Sequence, residues 1–231
     1  MKHKQTLAAF GLVACALAFT ACEKTEDSKK VGDHYAVDMG LSVRWATVNV
    51  GAISPSDYGD HYAWGETKTK DSYSWDTYTR WKKADKSTYA KPADYFTGKV
   101  SLTDEYIKMD VAHKEWGSKW RMPTKAEFEE LLDTNNCVWK ETTENGVNGY
   151  KVKSRITKKS IFLPFAGCRF TSSDYNDGNT GSYWTSESNG VKAYSVTISG
   201  YDNLPKSAEL DYLFYGKSVR PVTAGTAAAA Q

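Results

Sequence analysis

Outside the N-terminal segment, the side chains able to do polar chemistry are few. They comprise His34, His61 and His113, the cysteines Cys137 and Cys168, and carboxylates scattered along the chain. The histidines lack HExxH, HxH or any Cys/His ligand spacing, and no Gly-x-Ser-x-Gly elbow or phosphate-binding glycine loop is present. Hydrolase and nucleotide chemistry therefore have no motif to rest on, and the sequence points to a non-enzyme with no cofactor and no metal. Asp174-Tyr-Asn-Asp-Gly offers oxygen ligands, but not at the spacing of an EF-hand loop, and reads as a polar turn.

Two stretches instead suit binding. Trp75, Tyr78 and Trp81 are separated by polar residues, a set that stacks on sugar faces if exposed and fills a core if not. Farther on, Tyr175, Asn176, Asp177, Tyr201, Asp202, Asn203, Tyr212 and Tyr215 mix tyrosine with adaptable hydrogen-bonding groups, as recognition loops do. The competing reading of that second set is ordinary polar loops.

The N-terminus carries a different chemistry. Lys2 and Lys4 precede an apolar run from Thr6 to Ala21, 16 residues against the roughly 20 that span a bilayer, and Phe19-Thr20-Ala21 leads into Cys22 and the charged Glu23 and Lys24. This is the pattern of a lipoprotein signal, with cleavage after residue 21 and lipid on Cys22. Leu12-Val13-Ala14-Cys15 competes as a lipobox, but cleavage there would leave an apolar start. Removing Lys2 and Lys4 from the 30 basic residues leaves 28 against 28 acidic ones. No global field remains to attract nucleic acid.

An exported chain meets an oxidising compartment, so a disulfide between Cys137 and Cys168 is the default expectation. It would close a loop of about 30 residues, an entropic gain of about 3 to 4 kcal/mol. Two inert buried thiols, or a reactive thiol, are the alternatives.

The elements that must hold these groups divide as follows. Residues 22–34 read as a lipidated flexible tether, 35–223 as one domain, and 224–231 as a disordered tail. With 8 Trp, 15 Tyr and 8 Phe the chain has the aromatic mass for a single core. Thr124 and Glu127 form a capping-box pattern, with Phe128, Leu131 and Leu132 at helical spacing behind it. Ser101 to Trp116 also reads as helical, with Leu102, Tyr106, Met109, Ala112 and Trp116 on one face. Alternating stretches occupy Tyr35 to Leu41, Val43 to Val50 and the second half, so central helices flanked by strands predict an α+β domain.

Val37-Asp-Met-Gly-Leu-Ser-Val-Arg-Trp-Ala-Thr-Val-Asn-Val-Gly, Tyr58-Gly-Asp-His-Tyr-Ala-Trp-Gly-Glu, Trp120-Arg-Met-Pro-Thr, Ile161-Phe-Leu-Pro-Phe-Ala-Gly, Tyr183-Trp-Thr-Ser and Ser218-Val-Arg-Pro-Val occur in that order. Together they resemble the Fibrobacter succinogenes major paralogous domain family, whose members look like C-type lectin-like domains. The resemblance implies a C-type lectin-like fold with paired terminal strands, Tyr35 to Leu41 lying near Ser218 to Val222. It also raises a formylglycine-generating-type oxidase as an alternative, although Cys137 and Cys168 lie outside the late strand where that enzyme type keeps its thiols. Arg121 and Arg220 read as buried scaffold cations, with Glu66 and Glu127 as candidate partners.

These readings lead to an outer-membrane lipoprotein, held by its lipid and exposed at the cell surface. Its expected work is recognition or adhesion toward an extracellular protein or glycan, without calcium; a structural or assembly role in the envelope or a pilus is the alternative.

Overall fold

The computed structural model describes residues 24–80, 98–103, 105–175, 178–201 and 207–225. The expected α+β architecture is not what they form. Thirteen strands in four antiparallel sheets dominate the described residues, and only two short α-helices accompany them, so the fold is β-rich and has no central helical layer.

The first sheet has the order β1 (Ser28–Val31), β2 (His34–Asp38), β3 (Val43–Ala46) and β13 (Val222–Ala224). Residues 28–31, read from sequence as tether, thus form a strand paired with β2. The last strand lies against β3 in the register Val222↔Trp45, with β2 on the other side of β3, so the N-terminal partner is one strand removed from the segment expected.

A second sheet runs β12 (Glu209–Tyr212), β11 (Lys192–Ser199), β10 (Thr180–Asn189) and β4 (Lys99–Ser101). A third contains β5 (Cys137–Glu144), β6 (Val147–Ser154) and β7 (Ser160–Pro164). The fourth is a hairpin of β8 (Cys168–Phe170) and β9 (Ser173–Tyr175).

Helix α1 (Val111–Trp116) is the only α-helical part of the stretch expected to be helical from Ser101. Leu102 and Ala112 are fully buried, so the apolar spacing does mark an inward set. The backbone reaches it by another route. Ser101 pairs with β10, Ser101 and Thr103 share a hydroxyl contact, a 3₁₀ turn covers Ile107–Met109, and Asp110 caps His113 N to start the helix. Such side-chain bonds offer the backbone an alternative to helix.

Helix α2 (Lys125–Leu132) forms where the capping box requires. Thr124 Oγ1 accepts from Glu127 N at 3.2 Å, and Glu127 Oε2 accepts from Thr124 N at 2.8 Å. Phe128 and Leu131 are fully buried; the Phe128 ring meets Trp45 edge-on at 5.1 Å. This aromatic core extends through Leu163, Phe165, Tyr183 and Val196, joining the first three sheets beneath α2.

The two arginines separate. Arg121 forks onto Glu127, with Nη1 to Oε2 at 2.8 Å and Nη2 to Oε1 at 2.5 Å. Burial raises the Glu127 carboxyl, but the Arg121 and Thr124 bonds outweigh it and hold the group below its ordinary range. Arg220 has no carboxylate. It donates to Asn49 Oδ1 at 2.8 Å and to the carbonyls of Ala46 and Thr47, both at 3.2 Å, and burial lowers its pKa to about 10. Glu66, the other candidate carboxylate, instead binds Lys70 at 2.7 Å. Carbonyl and amide oxygens thus take over part of the role expected of a carboxylate, while Arg220 Nη2 is buried without a hydrogen-bond partner.

The expected disulfide is not formed. Cys137 begins β5 inside the main core, Cys168 begins β8, and both are free thiols. They belong to separate sheets with different packing neighbours. Burial pushes the Cys137 thiol up to about 11, and it also raises Cys168, with the charge of Lys217 only partly opposing.

Candidate functional site

The two stretches singled out from sequence meet in space, through residues that were not singled out. Trp75, from the first stretch, lies 4.7 Å from the ring of Phe214 and 6.0 Å from that of Tyr212, from the second. Tyr212 stacks on Phe214 at 5.7 Å with a 15° interplanar angle, and Phe214 meets Tyr215 at 4.7 Å. Phe170 closes the set, 5.3 Å from Tyr215 and 6.0 Å from Phe214.

Burial grades across this cluster. Phe214 and Tyr78 are buried and form its floor, Trp75 and Tyr215 are half-buried, and Phe170 and Tyr212 are 45% and 39% exposed. Leu210 is also exposed. It is an aromatic face supported from below rather than a set of loose side chains.

Each ring has a positional cause. Tyr212 ends β12, held in register by Lys192↔Tyr212, and the Lys192 ammonium sits 4.7 Å over the Tyr212 ring. Phe170 ends β8 and shares a face with Cys168 and, across the hairpin, with Tyr175. Tyr175 is 61% exposed and extends the face without touching its rings; Tyr201 is more exposed still and caps the end of β11 through Ser199. Tyr78 donates to Trp64 O at 2.7 Å, which fixes it as floor, not platform. Cys22, Trp81, Asn176, Asp177, Asp202 and Asn203 lie outside the described residues.

Beneath the face lies an enclosed cation. Lys217 Nζ donates to Asp211 Oδ2 at 2.7 Å and Ser195 Oγ at 2.8 Å, and stands 4.7 Å from the Trp184 ring. Burial pulls this ammonium below its ordinary value; Asp211, the neighbour of Tyr212 in sequence, opposes that shift by charge and hydrogen bond. The pair ties exposed β12 to the interior. Gly216, one residue earlier, carries no side chain where a Cβ would stand 2.7 Å from the Tyr73 ring, so Tyr73 packs flush and donates to His61 O.

The other side of the β8–β9 hairpin faces a polar recess of about 550 Å3 lined by Asp60, His61, Lys70, Asp71, Arg169 and Asp174. Arg169 pairs with Asp174 at 2.7 Å. Burial keeps His61 below its usual pKa, and its Nε2 donates to Ala166 O at 2.9 Å. Among the described residues no group of three or more His, Cys, Asp or Glu is arranged to hold a metal ion, and no helix is long and apolar enough to cross a membrane.

Sequence reasoning missed Phe170, Phe214 and Lys192. A signal existed for Phe214, since Tyr212-Leu-Phe-Tyr215 is the densest aromatic run of the second half. None existed for Phe170, which reaches the face only through the hairpin. No family model, curated protein or solved structure matches this chain.

Proposed function

We propose that the chain is a lipid-anchored envelope protein whose domain recognises an extracellular protein or glycan, without calcium and without catalysis. The observation that carries this reading is the supported aromatic face of Trp75, Phe170, Tyr212 and Tyr215. Rings already fixed by their neighbours lose little freedom on binding, and the half-exposed faces offer flat apolar area with a cation at the rim. Sugar rings and aromatic or proline side chains are the ligands that such a surface stacks against. Membership of the Fibrobacter succinogenes major paralogous domain family belongs to the same proposal and rests on the motifs quoted above, as lipidation at Cys22 and surface exposure rest on the N-terminal pattern.

The experiment is binding of the purified full chain to a glycan array and an extracellular-protein array, with and without EDTA. EDTA-insensitive binding that falls about tenfold or more in Tyr212→Ala and in Trp75→Ala, at unchanged melting temperature, supports recognition through this face. Silence on both arrays from a well-folded sample overturns it in favour of an envelope-scaffold role.

A further inference from the structure

A second pocket, about 730 Å3, shares no residue with the aromatic face. It opens on the outer side of the first sheet, where Arg44 and Thr223 stand opposite one another in register on β3 and β13. The connection between α1 and α2 forms one wall through Lys119 and Trp120, and the end of β1 forms another through Lys30 and Val31. The Trp120 indole donates to Val31 O at 3.2 Å and fixes the two walls together.

The charges in this pocket are one-sided. Lys30, Arg44, Lys119 and Arg121 line it, and no Asp or Glu does. Arg121 is neutralised by its fork onto Glu127. The other three have no acidic partner among the described residues, and Arg44 spends only its Nε, on Ala224 O at 2.9 Å, leaving both terminal nitrogens uncommitted. Lys30 and Lys119 are exposed, and Asp38 on β2 is the cross-strand neighbour of Arg44, so solvent and that carboxylate temper the repulsion while the pocket lining keeps an excess of positive charge.

We infer that this pocket binds a phosphate group carrying two negative charges, gripped by the Arg44 fork with Lys30 and Lys119 as point charges. A tetrahedral dianion accepts from several directions at once, which suits cations placed on separate walls of one pocket better than a planar carboxylate does. The buried Trp120 indole forms an apolar wall of the pocket. The group is free phosphate or a phosphate ester, or the phosphomonoester headgroup of a lipid. The lipid source rests on the anchor reading: Lys30 lies eight residues after Cys22, a reach of at most roughly 30 Å, which brings the pocket within range of headgroups.

The test is titration of the full chain, held in phosphatidylcholine vesicles, with inorganic pyrophosphate by calorimetry at low salt. Saturable binding is expected, weakened about tenfold in Arg44→Gln and in Lys119→Ala. Arg44→Lys, which keeps the charge and loses the fork, falls between, and Lys192→Ala on the aromatic face leaves affinity unchanged. Melting temperatures identify any variant that has failed to fold. No saturation by the folded chain, or affinity indifferent to both substitutions, overturns the proposal. Adding phosphatidic acid to the bilayer separates the sources: apparent pyrophosphate affinity drops about tenfold if the headgroup occupies the pocket, and stays constant if the ligand is soluble. Labelling of Cys22 by radioactive palmitate tests the anchor separately, and its failure would remove only the lipid source.

Discussion

The corner around α2 and the aromatic face are both rich in rings, yet they are built on opposite terms. At the corner, Trp45, Phe128 and Tyr183 are sealed from water, and the polar groups beside them satisfy one another through Thr124, Glu127 and Arg121. On the face, Phe170 and Tyr212 lie against buried Phe214 and remain 45% and 39% exposed. The first arrangement spends its aromatics on the core; the second leaves part of their surface exposed. Location in the chain does not distinguish the two, but what lies above each ring does.

Substitutions should separate the regions in graded fashion. Phe128→Ala leaves a cavity under α2 and is expected to cost about 3 to 5 kcal/mol in chemical denaturation while sparing any ligand binding by the survivors. A loss below 1 kcal/mol would show that the corner is not the stabilising centre. Next comes Asp110, whose burial raises its pKa to about 6 although Met122 N, at 2.6 Å, and His113 N both donate to it. The folded value lies above the unfolded one of roughly 4, so the native state binds the extra proton in between, and stability from this group is full below pH 4 and declines as pH rises through 6. The decline is up to about 3 kcal/mol and should be missing from Asp110→Asn; parallel pH profiles for the two proteins would refute it.

Thr124→Ala removes one half of the capping box and is expected to lower stability by about 1 kcal/mol, with Ser restoring most of it. At the small end, Tyr212→Ser should change stability by no more than about 0.5 kcal/mol, since that ring covers rather than fills. A large loss there would erase the contrast between the regions and recast the face as core.

What the sequence disclosed follows the range of the interactions. The box of Thr124 and Glu127 is closed within three residues, so its pattern is readable directly, and Phe128 and Leu131 inherit their burial from it. The stretch before Trp116 misled because burial spacing is shared by helices and by irregular chain pinned at intervals; Asp110 and the Ser101–Thr103 contact decided the backbone there. The aromatic face was half legible. Trp75, Tyr212 and Tyr215 stood out by type, but their union depends on β12 pairing with β11 and on the β8–β9 hairpin, pairings that no local pattern records. The Arg44 pocket was invisible for the same reason, its cations coming from three separate parts of the chain.

Strand β1 also has a mechanical meaning. It is an edge strand held to the body by its pairing with β2 and by the Trp120 bond to Val31 O, whereas β2 is flanked by strands on both sides. Tension on the chain ahead of Ser28 therefore peels β1 first, releasing residues 28–33 as roughly 20 Å of extra length before the load reaches β2. A domain pulled from its N-terminus would yield in one short, re-zippable step and keep its aromatic face intact, a shock absorber written into four residues of sheet.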